Sequence, residues 1–143
     1  MKPLYFTLII LVLTSNSCKE KVKPVSERIA KVWTANLVRE GSSVVYTKGA
    51  VSNVRAGYVN FRLDLSNPAS VTLREFDNQY FTGQWEVQND TKLILKNLTL
   101  QPTGNNGTIE YIITAFTDSD LKLSRTTVNQ KIGGSLGSYE LSN

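Results

Sequence analysis

Tyr80-Phe81-Thr82-Gly83-Gln84-Trp85-Glu86-Val87 is the stretch whose reading decides the fold. Phe81, Gly83, Trp85 and Val87 alternate with Tyr80, Thr82, Gln84 and Glu86. A period of two puts one set of side chains on a core and the other in water, which is a half-buried strand. Upstream, Trp33, Ala35 and Leu37 alternate with Thr34 and Asn36. Val59, Phe61, Leu63 and Leu65 alternate with Tyr58, Asn60, Arg62 and Asp64, and Val71 and Leu73 with Ser70, Thr72 and Arg74. Downstream come Leu93 and Leu95 around an apolar Ile94, then Ile109, Tyr111 and Ile113 against Thr108, Glu110 and Thr114. Leu121 and Leu123 against Lys122 and Ser124 follow, and Tyr139 with Leu141 ends the series.

Turn-forming clusters separate these runs: Gly41-Ser42, Ser66-Asn67-Pro68, Asp77-Asn78, Gln88-Asn89-Asp90, Asn105-Asn106-Gly107 and Asp118-Ser119-Asp120. Such residues close tight hairpins because they accept left-handed or prepaid turn backbone. The pattern predicts an all-β chain with eight to nine antiparallel strands. Closing them into an up-and-down barrel removes exposed sheet edges; a sandwich is the competing arrangement, but it favours longer crossings. Two longer connections interrupt the meander, Lys48 to Gly57 and Val128 to Gly137. Before the first strand, Ser26 to Lys31 reads as one helical turn with Ser26 as its cap.

The N-terminus carries a different signal. Met1-Lys2-Pro3, an apolar run from Leu4 to Leu13 and the exit Thr14-Ser15-Asn16-Ser17-Cys18 are the parts of a secretory leader. The run falls short of the roughly 20 apolar residues a membrane-spanning helix needs. The chain's one cysteine stands at the cleavage point, and there the segment resembles the signal of bacterial lipoproteins, whose cysteine becomes the acylated first residue. Ordinary cleavage near Ser17, leaving a free thiol, is the alternative. The expected organisation is a leader over 1–17, a lipidated tether with a short helical turn over 18–28, and a barrel over 29–143. The expected address is the bacterial outer membrane, facing periplasm or cell surface, with the membrane itself as a partner through Cys18. Of 143 residues, removing 17 leaves 126; loss of Lys2 lowers the net charge from +4 to +3. Lys19, Lys21 and Lys23 sit in the tether, where they serve as solvated linker or touch anionic headgroups.

Histidine is absent. That removes the commonest general base, the commonest metal ligand and the Ser–His and Cys–His dyads together. With Cys18 spent on attachment, thiolate chemistry goes too. The composition therefore points away from an enzyme and implies no cofactor and no metal. No glycine-rich phosphate loop or basic nucleic-acid stripe is present, so no nucleic-acid partner is expected.

Over Ile29 to Ser142 the chain resembles the lipocalin-like (calycin-type) lipoproteins of Bacteroidetes-type bacteria. The resemblance rests on Lys31-Val32-Trp33-Thr34, Gly83-Gln84-Trp85-Glu86-Val87 with Leu93-Ile94-Leu95, Ile109-Glu110-Tyr111-Ile112-Ile113 and Leu121-Lys122-Leu123. True lipocalins open their first strand with Gly-x-Trp; here Trp33 has no such glycine, and a Gly-x-Trp stands mid-chain instead. The resemblance implies a non-enzymatic barrel binding a small hydrophobic or amphipathic molecule. It also implies a structural clasp in which Arg125, continuing the inward series Leu121 and Leu123, lies across Trp33. Such a cation–π contact is worth roughly 0.5–2 kcal/mol.

Phe61, Phe81, Trp85, Tyr111 and Tyr139 are the expected ligand-facing side chains. An eight-stranded barrel is just wide enough to hold one small ligand or to be filled by its own side chains. In the first case the protein is a carrier; in the second it is a solid scaffold whose loops meet an envelope protein or glycan. Gly83 makes room for a ligand or marks a bend. Tyr46, Arg55, Tyr58 and Tyr80 are expected near the rim. Asp118 and Asp120 read as a hairpin turn more readily than as a cation site, and Glu75 with Asp77 as a strand end more readily than as an acid–base pair.

Overall fold

The computed structural model describes residues 21–100 and 104–143. The leader and Cys18 lie outside the described residues. A single helical turn, α1 (Val25–Arg28), precedes nine strands: β1 (Val32–Glu40), β2 (Ser43–Thr47), β3 (Arg62–Asp64), β4 (Val71–Arg74), β5 (Tyr80–Gln88), β6 (Lys92–Lys96), β7 (Ile109–Phe116), β8 (Asp120–Arg125) and β9 (Gly137–Ser142). Short 3₁₀ turns occupy Ala56–Asn60 and Gln130–Ile132.

From β3 to β9 each strand pairs antiparallel with the next in sequence, and β9 returns to β1, which pairs with β3. Eight strands thus close a ring. The ninth, β2, lies along the second half of β1, Leu37 to Glu40, while β3 takes the first half, Val32 to Thr34. The free side of β2 is blunted by the connection that follows it. Asn53 caps Thr47, accepting from its N–H at 2.7 Å and donating to its carbonyl at 3.1 Å, and the Arg55 N–H reaches the Val45 carbonyl at 2.9 Å. Occupied edge groups offer no template for another chain.

The expected strand from Val59 to Leu65 is mostly not a strand. Gly57 passes so close to Phe76 that a Cβ would lie 2.4 Å from its carbonyl oxygen. The chain coils there into the Ala56–Asn60 turn, which buries Tyr58 and leaves Val59 70% exposed, inverting the expected alternation. Regular pairing resumes only at Arg62. At the N-terminus the helical turn is capped by Pro24, whose carbonyl accepts from Glu27 and Arg28 N–H at 3.1 and 3.2 Å. Ser26 lies inside the turn and is not its cap.

The registers define two ends. One carries α1 and the short turns after β3, β5 and β7; here the Trp33 indole N–H donates to the Ile29 carbonyl at 2.8 Å, closing the base. The other carries the long connections 48–61, 97–108 and 126–136. Between them the wall encloses Leu63, Leu73, Leu93, Leu95, Leu121 and Leu123, none more than 2% exposed. Burial of apolar area at roughly 25 cal/mol per Å² drives this closure.

Candidate functional site

The five aromatics expected to face a ligand are all inside: Phe61 is 3% exposed, Phe81 1%, Trp85 6%, Tyr111 1% and Tyr139 3%. They do not line one open chamber. Phe61 stacks on Tyr139 with centroids 5.1 Å apart, and Tyr111 meets Tyr139 edge-on at 5.9 Å. Tyr58, expected at the rim, is instead part of this cluster, 6.3 Å from Tyr139 and 5.0 Å from Phe76. Tyr46 is buried as well, whereas Tyr80 is exposed and lies under the Arg74 guanidinium. Trp85 stands apart toward the helix end, its indole N–H donating to the Asn67 carbonyl at 2.7 Å. Phe81 lies beneath Lys131, with Nζ 4.9 Å from the ring centre.

Polar groups gather at the loop end. Arg125 is 1% exposed; its Nε donates to the Thr127 carbonyl at 3.0 Å, and Nη1 lies 3.6 Å from Glu75 Oε1. Asn105, with its amide oxygen turned toward Arg125, accepts from Nη2 at 2.7 Å and donates to the Val128 carbonyl at 2.9 Å. Lys131 reaches down from the 126–136 connection to Glu75 Oε2 at 2.6 Å, Asp77 Oδ2 at 2.8 Å and Gln79 Oε1 at 2.9 Å. Beside them Glu40 is gripped by Arg55 and accepts from the Tyr58 hydroxyl at 3.1 Å. Burial opposes ionisation of Asp77, but Lys131 and the Gln79 N–H outweigh it and hold the carboxyl below its usual range. Burial pushes the Tyr58 and Tyr111 hydroxyls well above the ordinary tyrosine range and raises that of Tyr139.

The expected clasp between Arg125 and Trp33 does not form. Asp120 at the start of β8 sits beside Ser142, which sits beside Thr34; Arg125 is five residues further and pairs across to Tyr111. At ~3.3 Å per residue, that separates them by roughly 17 Å of strand. Arg125 faces inward as expected, but at the opposite end, where Glu75 is its partner.

Three other expectations resolve locally. Gly83 opens no space: a Cβ would lie 2.6 Å from the Lys96 carbonyl and 3.0 Å from Leu98, which fills the position. Asp118 and Asp120 form a turn, with Asp120 accepting from the Ser119 and Thr117 hydroxyls at 2.7 and 3.0 Å. No cluster of carboxylates able to hold a metal occurs among the described residues. Glu75 is no mere strand end, being 4% exposed within the ion network. That network was missed, yet its signal was present: Val71, Leu73 and Glu75 form one alternating inward series, just as Leu121, Leu123 and Arg125 do.

Surface grooves complete the picture. One of about 430 Å³ lies between α1 and β5, lined by Ser26, Glu27, Ala30, Pro68, Trp85 and Val87. A second of about 440 Å³ runs from Lys21 and Lys23 to Arg28 and Asp118, and a third of about 280 Å³ crosses the outer faces of β8 and β9.

The chain is a closed up-and-down β-barrel. Its eight paired strands and the added ninth give it the architecture that lipocalins share. No protein-family model matches the sequence, and no curated protein matches it. Two solved structures are similar at low identity. One is an uncharacterized protein from Bacteroides eggerthii DSM 20697, 10% identical with a TM-score of 0.47, covering 80% of this chain and 98% of that one. The other is a lipocalin-like protein from Bacteroides uniformis ATCC 8492, 12% identical with a TM-score of 0.48, covering 81% of this chain and 98% of that one.

Proposed function

We propose that the protein is a non-enzymatic binding module of the bacterial cell envelope, lipid-anchored through Cys18 at the outer membrane, whose filled barrel presents its outside to another macromolecule. The observation that carries this reading is the mutual packing of Phe61, Tyr139, Tyr111 and Tyr58 inside the barrel. Aromatic rings in stacked and edge-on contact stabilise a core, and they occupy the volume a carried ligand would need. Eight of the ten large apolar side chains that are exposed among the described residues (all but Val22 and Ile112) belong to the loop end and its flanks.

A second reading, a small amphipathic molecule held among these rings, is favoured by one atom. Arg125 Nη1 is buried without a hydrogen-bond acceptor. Glu75 Oε2 lacks a hydrogen-bond donor, but Lys131 lies 2.6 Å from it and answers its charge.

Native mass spectrometry of the acylated chain purified from bacterial cells separates the two. The first reading expects a mass of polypeptide plus acyl groups on Cys18 and nothing else, with crosslinking in intact cells joining the barrel to a discrete partner. A small molecule at one per chain, lost in Tyr111→Ala, would replace it by the second. Cys18→Ser should release the protein from the membrane fraction; unchanged fractionation would overturn the anchor.

A further inference from the structure

We infer that the lower half of β5 is an open strand edge that binds an extended peptide segment bearing a basic side chain; this rests on the surface-contact reading above and names its partner class.

The β4–β5 ladder ends at Val71 opposite Gly83, but β5 continues to Gln88. Residues 84–88 are paired on one side only, with β6. The direction of the unpaired groups follows from bonds elsewhere on the strand. The Thr82 carbonyl accepts from Thr99, and the Gln88 carbonyl from Thr91, so even-numbered residues of β5 direct their N–H and C=O toward β6. The Gln79 carbonyl accepts from the Glu75 N–H, so odd-numbered residues direct theirs toward β4. Past Gly83 nothing of β4 remains to meet them. Among the described residues, the backbones of Trp85 and Val87 make no hydrogen bond on that side.

These unpaired groups do not face open water alone. They border the groove of about 430 Å³ that α1 and Pro68 also line. A row of alternating backbone donors and acceptors in a groove is what strand addition uses: main-chain bonds give affinity, and flanking side chains choose the sequence. An apolar small molecule would leave the donors and acceptors of Trp85 and Val87 unmet, at a cost comparable to lost hydrogen bonds. Glu27 lines the groove and makes no ion pair with another described residue, whereas Glu86 beside it is held by Lys96. The Glu27 charge selects Lys or Arg on the incoming strand. The described part of the chain's own tether lies elsewhere, with Lys21, Val22 and Lys23 in the groove beside Arg28 and Asp118.

The fold makes an unusually clean test available. Proline is accepted on an edge where its missing N–H faced no partner, so Val87→Pro removes one binding donor while leaving the β6 ladder intact. The probe is a phage-displayed library of random nine-residue peptides, selected against the acylated chain in detergent micelles. The expected result is enrichment of peptides with alternating apolar positions and a Lys or Arg, weakened about tenfold by Val87→Pro, as loss of one well-made hydrogen bond implies. If Val87→Pro fails to fold, the enriched peptides N-methylated at alternate residues take its place on the unmodified protein and should bind as weakly.

Amide exchange of the free chain gives an independent reading. Trp85 and Val87 should exchange faster than Gln84 and Glu86, and slow when peptide is added. Equal protection in the free chain, equal binding to Val87→Pro and to N-methylated peptide, or no enrichment would each overturn the site. Dimerisation abolished by Val87→Pro would overturn it in favour of a second copy. A crosslinked partner in cells that survives Val87→Pro would overturn this edge while leaving the surface-contact reading standing.

Discussion

Arg125 shows what a single residue can contribute at the loop end. Its charge is buried against Glu75, with Lys131 on the carboxylate's other side. Removing one partner of a buried pair leaves an uncompensated charge and costs about 3–5 kcal/mol, whereas removing both with apolar replacements is often close to neutral. Lys131 still answers Glu75 when Arg125 is gone, so Arg125→Met should cost less than that, about 1–3 kcal/mol from its lost hydrogen bonds, in urea titration. Arg125→Met combined with Glu75→Leu should cost clearly less than the two single changes summed. Strict additivity would show that the pair is not coupled. The sequence revealed which face Arg125 occupies and not its height, because a period of two reports inside from outside and says nothing of position along the barrel axis. The placement of Arg125 over Trp33 failed on that point alone. The same alternation, followed two residues past Leu73, leads to Glu75, so both members of the pair were legible as inward charges although their meeting was not.

At the scale of elements, the hairpins were the most legible part. Asn78, Asn89, Asp90 and Asn106 all adopt positive φ, each within a cluster read as a turn. Such backbone is accessible to Asn and Asp at low cost, so composition alone locates it. The Ala56–Asn60 turn was not legible, since it depends on the approach of Gly57 to Phe76, nineteen residues downstream just past β4. The 126–136 connection was recognised by length and glycines, but its function in the fold comes from Lys131. That side chain drops over Phe81 and ties the connection to Glu75, Asp77 and Gln79. Around it the Asn129–Ser135 bridge is a 3.4 Å bond beside short local bonds from the Ile132, Gly133 and Gly134 N–H groups, and Gly133 and Gly134 both take left-handed backbone. Lys131 is thus the pin of a strap. Lys131→Ala should raise amide exchange over 128–136 by roughly tenfold, while β5 to β8 stay protected, as expected of a local opening unit. Equal exchange in both proteins would show that the strap is held by its backbone alone.

For the whole molecule, closure of β1 on β9 ties the first strand to the last, so the barrel core opens as one cooperative body. The wall strands and their order could be read from alternation and turn residues, β3 only in its Arg62–Asp64 part, because those are local. What filled the barrel could not, since a long inward aromatic looks the same in sequence whether it lines a cavity or packs on its neighbour. That filling gives the molecule a distinctive response to pH. Tyr58, Tyr111 and Tyr139 are held neutral by burial, which raises all three hydroxyls above the 10.0 of an exposed tyrosine, Tyr58 and Tyr111 far above it. In the unfolded chain the same groups lose their protons near that ordinary value. Their contribution to stability is therefore complete below about pH 10 and declines above it, because the unfolded state alone gains by releasing protons. Tyr58 and Tyr111 each contribute a slope of about 1.4 kcal/mol per pH unit in that range. Tyr111→Phe removes one such group. Urea titrations at a series of alkaline pH values should show its stability falling less steeply than that of the unsubstituted chain, by that amount per unit. Tyrosinate absorbance from the three buried rings should rise only together with loss of the fold; parallel stability curves, or ionisation of Tyr111 in the folded barrel, would mean that water reaches the interior and that the core is more open than its packing indicates.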